Sequence, residues 1–197
     1  ALTITVDSGD PASIVVECTL HVIDLVQPAP SDTGTLVELW QYPFAVAEYY
    51  GIKETEYFTD THFNYLSDSL TAYRETGGTA VTATIVEEAW NHQSFYGNPS
   101  MIKWFRRTDG TFSFDYSWYD RWVSYAVRLG ILNPSAGIGS IQCYSIVPWE
   151  NQIGYTDLAS GQYRTERFTP GTREWNILWQ EFLTDFLTPY AEMGGVD

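Results

Sequence analysis

The sequence is poor in cysteine, histidine and positive charge. Its only cysteines are Cys18 and Cys143, too few for a disulfide framework. Each lies in an apolar strand-like run, so one disulfide or two buried free thiols remain the alternatives. The three histidines, His21, His62 and His92, are far apart and have no Cys or His companions. No metal site is therefore expected. Ten basic residues face 25 acidic ones, a formal net charge of -15. A chain so acidic repels nucleic acid and anionic membranes, and neither is expected as a partner. No run of about 18 apolar residues exists, so no membrane span is expected. No leader is visible, although a cleaved one would leave no trace. Gly-rich loops with Lys or Arg, which cradle phosphates, are also missing. No cofactor is expected.

Aromatic residues are plentiful, at 16% with 8 Trp and 14 Tyr. These side chains serve both packing and ligand stacking. The length of 197 residues allows one sizeable core. Residues 1–26 read as strands, with Leu2 to Val6 pairing a strand in "ASIVVECTLHVIDLV". There Ile14, Val16, Cys18, Leu20 and Val22 alternate with polar positions, the period of a half-buried strand. "QPAPSDTG" reads as a linker.

Beyond it come "TLVELW" as a short strand and "YPFAVAEYYG" as a loop with one helical turn. A helix over "TDTHFNYLSDSLTAYRETGG" follows, ending in two glycines, a common helix stop. "TAVTATIV" is apolar enough to be covered on both faces. "MIKWFRRTDGTFSFDY" is a hairpin turning at Asp109-Gly110. "SWYDRWVSYAVRLG" is a helix with a Ser117–Asp120 start signal. "IGSIQCYSIV" is a third strand, followed by a hairpin around Ser160-Gly161. "TREWNILWQEFLTDFLTPY" is a long helix with an aromatic stripe from Trp175 to Tyr190. This is an α/β chain of three βα units, two with a hairpin inserted after the strand. It fits part of a (β/α)8 TIM-type barrel, whose active sites lie at the C-terminal ends of the strands. A compact three-layer sandwich is the competing architecture.

The three parallel strands end alike: Trp40-Gln41, then Trp90-Asn91-His92-Gln93, then Trp149-Glu150-Asn151-Gln152. An indole stacks on the C–H face of a sugar ring. A carboxamide both donates to and accepts from vicinal hydroxyls. Trp40, Gln41, Glu88, Trp90, Asn91, His92, Gln93, Tyr144, Trp149 and Asn151 are therefore candidate carbohydrate-binding residues. The opposing reading makes the Trp residues core and the amides turn formers. Glu87 and Glu88 suggest a glycosidase acid pair. Neighbouring residues of a strand point to opposite sides, however. At most one of the two is expected in the site, as an acid that binds a hydroxyl.

"ELWQYPFAVAEYYG", "HFNYL", "TATIVEEAWNHQSF", "PSMIKWFRRTDGTFSFDYSWYDRWV", "IQCYSIVPWEN" and "TPGTREWNILWQEFLTDF", in this order, resemble the catalytic domain of glycoside hydrolase family 123. The resemblance implies residues 31–197 as the N-terminal part of a (β/α)8 barrel. Residues 1–30 would be the last strands of a preceding β-sandwich, with its linker. It implies a secreted or cell-surface bacterial β-N-acetylgalactosaminidase, retaining and substrate-assisted, in which the substrate's acetamide oxygen attacks the anomeric carbon. An adjacent Asp-Glu pair does the chemistry in that family, on the strand that would follow "AEMGGVD". No residue here matches that pair, so no catalytic residue is assigned and the chain alone is expected to be inactive. "NPSAG", residues 133–137, departs from the family pattern at the opposite end of the barrel. Open barrel edges are expected to favour self-association. A non-catalytic carbohydrate-binding relative is the alternative function, and a purely structural domain a third.

Overall fold

The computed structural model describes residues 2–6, 14–26, 28, 29, 32 and 36–192. The chain divides into two compact units, Ala1–Thr33 and Gly34–Asp197. In the first, β1 (Leu2–Val6) and β2 (Ile14–Cys18) pair antiparallel, from Leu2↔Cys18 to Val6↔Ile14. The strand expected to run on to residue 26 stops at Cys18, whose partner Leu2 is the last that β1 offers. Leu20 and Val22 lie outside any strand and are exposed. The side chains of Ile14 and Val16 lie outside the described residues.

The second unit is a mixed α/β structure. Its centre is β3 (Ala80–Thr84), buried at every position. Residues with Ala, Val and Thr side chains suit a strand covered on both faces. β3 pairs in parallel with β6 (Ser140–Tyr144), from Ala80↔Ser140 to Thr84↔Tyr144. On its other side the expected "TLVELW" strand contributes one parallel bridge, Val37↔Gly78. Gln41 explains why the ladder stops there. Its Oε1 accepts from the Thr82 amide at 2.7 Å, where a further strand residue would otherwise accept.

Helix α1 (Pro43–Tyr49) is longer than the single turn expected. α2 (Asp60–Glu75) buries Phe63, Leu66, Leu70 and Tyr73. α3 (Ser117–Leu129) ends on Gly130, whose φ of 74° is left-handed, a conformation open to glycine without steric cost. The expected Ser117–Asp120 start is replaced by another: Asp115 Oδ1 accepts from the Ser117 amide at 2.9 Å. Two tryptophans tie the surrounding elements to β3 and its continuation. Trp122 Nε1 of α3 donates to the Thr82 carbonyl at 2.9 Å, and Trp104 Nε1 donates to the Ile85 carbonyl at 2.8 Å.

Both expected hairpins are present, β4 (Lys103–Arg106) with β5 (Phe112–Asp115) and β7 (Gln152–Asp157) with β8 (Gln162–Arg167). They follow β3 and β6 respectively. They also join, since β4 and β7 pair in parallel and give the order β5-β4-β7-β8. Arg106 helps to hold this junction. Its Nη1 lies 3.2 Å from Glu166 Oε2 on β8, and Tyr155 of β7 donates to the same oxygen at 2.7 Å. α4 (Arg173–Glu192) packs an aromatic stripe on the sheet, with Phe182 stacked on Trp104 at 4.8 Å. The side chain of Tyr190 lies outside the described residues. Cys18 and Cys143 are free thiols rather than a disulfide, but both are exposed rather than buried. Cys143 sits on β6, which among the described residues has a strand on one side only.

His62 is fully buried and used within the fold. Its Nδ1 accepts from the Phe58 amide at 3.0 Å, and Nε2 donates to the Pro43 carbonyl at 2.9 Å. These bonds fix the neutral imidazole and hold Phe58 at a φ of 57°. Burial lowers the His62 pKa below 6.5, partly offset by the Pro43 carbonyl. The unfolded chain then binds this proton first as pH falls. The stability contributed by neutral His62 is complete above about pH 6.5 and is lost as pH drops towards the folded pKa. Melting temperature measured from pH 7 to 5 should therefore fall more steeply for the parent than for His62→Gln. Parallel curves would contradict this role.

Candidate functional site

β3 ends at Thr84, so Glu87 and Glu88 lie in a loop rather than a strand. Strand alternation does not apply to them, and both line one cavity of 380 Å³. This corrects the expectation that one carboxylate at most could enter the site. Asn91, His92, Pro148, Glu150, Gln152, Gly154 and Thr165 complete the lining. The cavity thus lies between the loop after β3 and the segment joining β6 to its hairpin.

The loop has an internal lock. Glu88 Oε1 accepts from the Asn98 amide at 2.9 Å, and the Glu88 amide donates to the Asn98 carbonyl at 2.8 Å. Glu88 Oε2 accepts from the His92 amide at 3.2 Å and lies 3.3 Å from His92 Nδ1. One carboxylate therefore closes the loop from residue 88 to residue 98. Glu88, Asn91, His92 and Asn151 all have left-handed φ values, between 48° and 57°. Such backbone strain in non-glycine residues gathers where surrounding structure imposes it, often at functional sites.

The candidate residues separate into groups. Trp40, Trp90 and Tyr144 form one aromatic cluster. Trp40 stacks on Trp90 at 5.4 Å and 24°, and Tyr144 lies 5.5 Å from Trp40 and 5.2 Å from Trp90. Tyr42 adds an edge to Trp90 at 5.4 Å. Trp90 is buried and Trp40 is 46% exposed, so Trp40 and Tyr144 present the accessible part of the cluster. Tyr144 donates to Glu38 Oε1 at 3.2 Å. Burial, then the negative charge of Glu38, raises the Tyr144 pKa above 10, which keeps the phenol protonated.

Glu88, Asn91 and His92 line the polar cavity instead. Gln41 is engaged on β3: besides Thr82, its Nε2 contacts the carbonyls of Leu39 and Ala80. Gln93 and Trp149 are exposed, and Trp149 stacks on no ring among the described residues. Asn151 lies between the cavity-lining residues Glu150 and Gln152 in the chain. Its Oδ1 is buried without a hydrogen-bond partner, as is Trp90 Nε1.

Sequence reasoning passed over Tyr163 and Gly154, and it names Glu150 at a strand end without giving it a role. Tyr163 donates a short hydrogen bond to Glu87 Oε2. Desolvation and the Glu87 carboxylate raise its pKa well above the usual phenol value. Gly154 lies beneath this pair, and a Cβ there would overlap the Tyr163 hydroxyl. Glycine inside the strand "IGY" is the one readable signal, since it often marks a close approach. Glu150 Oε2 is near Gln152 Nε2 and Arg167 Nη2, each at 3.4 Å. All three cavity acids are thus already engaged. Among the described residues, no three His, Cys, Asp or Glu side chains come together to hold a metal ion.

Residues 40–197 match the model for the glycoside hydrolase 123 catalytic domain, and the chain belongs to that family. It is also similar to a solved family 123 glycoside hydrolase from Clostridium perfringens, studied for glycolipid glycan hydrolysis. Sequence identity is 46% and the TM-score is 0.83. The match covers 95% of this chain and 32% of that one, so the chain spans about a third of the solved relative. No curated protein matches the chain.

The lock predicts a local effect of Glu88→Ala. The Asn98 and His92 amides lose their acceptor, a loss worth about 1–3 kcal/mol when the group stays buried. Hydrogen exchange at Asn98 should speed up by at least about tenfold, with amides of β3 unchanged. Unchanged exchange at Asn98 would refute the lock.

Proposed function

We propose that this segment forms part of the sugar-binding cleft of a β-N-acetylgalactosaminidase-like glycoside hydrolase, retaining and substrate-assisted. Residues 34–192 would supply the first three βα units of a (β/α)8 barrel. The parallel order of Val37, β3 and β6 supports that reading, as do the hairpins that follow β3 and β6. A longer chain whose structure adds no parallel strand beside β6 would contradict it.

One observation carries the functional reading. An accessible aromatic face, Trp40 with Tyr144, and an acid-and-amide cavity meet on one loop, through Trp90 on one side and Glu88, Asn91 and His92 on the other. Indole and phenol faces suit the C–H face of a hexose. Cavity acids and amides suit its hydroxyls. Gln41 supports the wall rather than the ligand. Glu87, Glu88 and Glu150 are each held by protein partners, so none of the three is assigned a catalytic role. The same engagement of the acids supports the alternative, a non-catalytic carbohydrate-binding relative. Activity of the parent separates the two.

Titration with N-acetylgalactosamine should quench or shift tryptophan fluorescence and saturate. Trp40→Ala should weaken that binding by roughly tenfold, about 1.4 kcal/mol. Equal affinity of parent and variant would remove Trp40 from the site. No saturable response in the parent would remove the cleft.

A further inference from the structure

The sheet β5-β4-β7-β8 ends in two unlike edges. On β5 the outward amide of Phe112 is covered, since it donates to Glu181 Oε2 of α4 at 3.1 Å. β8 pairs only with β7 among the described residues, and it is exposed at every position. Its sequence QYRTER holds neither Pro nor Gly, residues that commonly mark a blunted or bulged edge. Such an edge is a template for another strand.

The direction of its backbone groups is fixed by the hairpin. The Phe168 amide donates to the Asn151 carbonyl at 2.8 Å, in the register that pairs Arg167 with Gln152. Hydrogen-bonded pairs alternate along an antiparallel ladder. Gln162, Arg164 and Glu166 therefore turn their N–H and C=O groups towards β7. Those of Tyr163, Thr165 and Arg167 turn outward, and an added strand must pair with these three.

A second copy of β8 meets that requirement. Laid antiparallel about a two-fold axis at Thr165, it sets Tyr163 opposite the second copy's Arg167 and Thr165 opposite its own equivalent. Arg164 then faces the second copy's Glu166, and Glu166 faces its Arg164. These are non-hydrogen-bonded pairs, whose side chains approach most closely, and opposite charges placed there are favourable. A shift that centres the axis on Arg164 or on Glu166 sets like charges against each other, which is unfavourable. Arg164 already pairs with Asp157 at 3.2 Å and Glu166 with Arg106 at 3.2 Å. A guanidinium has five N–H donors and a carboxylate two oxygens, so both bonds persist beside the new ones. Charges usually guard an edge against a foreign strand; here their order admits a copy.

We propose that β8 is a homodimer edge, through which two copies join their sheets in the register centred on Thr165. Directly opposed residues share a face of the sheet, and Thr165 lines the first cavity. The dimer thus brings the two cavities side by side on one face. Self-association is placed at β8 rather than at the edges beside Val37 and β6. The formal net charge of -15 on each copy keeps the association weak, and a two-fold contact closes at the dimer.

The test combines sedimentation up to about 1 mM with solvent exchange of backbone amides by NMR at low and high concentration. The unmodified chain should show a reversible monomer–dimer equilibrium. Exchange at the Tyr163, Thr165 and Arg167 amides should slow as dimer forms, with the amides of β6 unchanged, a readout that needs no variant. Thr165→Pro removes an outward donor and leaves the β7 bonds in place. Arg164→Glu sets Glu against Glu. Each should weaken the dimer at least about tenfold. Monomer alone at the highest concentration, species larger than a dimer, slowed exchange at β6 instead of β8, or a dimer that both variants leave equally tight overturns the proposal.

Discussion

The backbone of β3 is the constraint on which the second unit depends. A parallel strand buried on both faces must find partners for every amide and carbonyl, because each one left unsatisfied costs about 1–3 kcal/mol. β6 supplies one edge. The other edge is completed largely by side chains. Gln41 accepts from Thr82, Trp122 donates to the Thr82 carbonyl, and Tyr73 donates to the Ala80 carbonyl at 2.8 Å. Just past the strand, Trp104 donates to the Ile85 carbonyl. These bonds reach β3 from the loop before α1, from α3, from α2 and from β4. They fix where the chain leaves the strand, and so where the loop carrying Glu87 to Asn98 begins.

From that exit the site follows by short steps. Trp90 turns under Trp40 and Tyr144 while Glu88 closes the loop onto Asn98. The hairpin after β6 then reaches back over the cavity, and Tyr163 meets Glu87 across Gly154. The β4–β7 pairing sets that reach, because it binds the two hairpins into one sheet. Position in the loop therefore depends on packing more than ten residues away in the chain.

Much of this framework was legible in the sequence. Helical spacing in α2 and α4, the Asp109-Gly110 and Ser160-Gly161 turns, and the β-branched run of β3 all state local preferences that the fold keeps. What was hidden depends on tertiary partners. Nothing in "KWFR" or "GYTD" announces that the two hairpins pair with each other. Strand alternation would separate Glu87 from Glu88, but β3 ends at Thr84 and both line one cavity. Gln41 looked like a ligand amide because a carboxamide serves a backbone edge and a hydroxyl equally well. Asp115 takes the helix-start role that the Ser117–Asp120 spacing offers in the sequence. The family resemblance, by contrast, was legible from ordered motifs across most of the chain, and the family match bears it out.

The central claim is that the accessible faces of Trp40 and Tyr144 hold the ring of an N-acetylhexosamine. Ring-to-sugar NMR contacts measure this directly, with N-acetylgalactosamine in excess over the chain. The account predicts magnetisation transfer to the sugar C–H protons from the ring protons of Trp40 and Tyr144. Transfer from other aromatic residues alone, with Trp40 and Tyr144 silent, would contradict it.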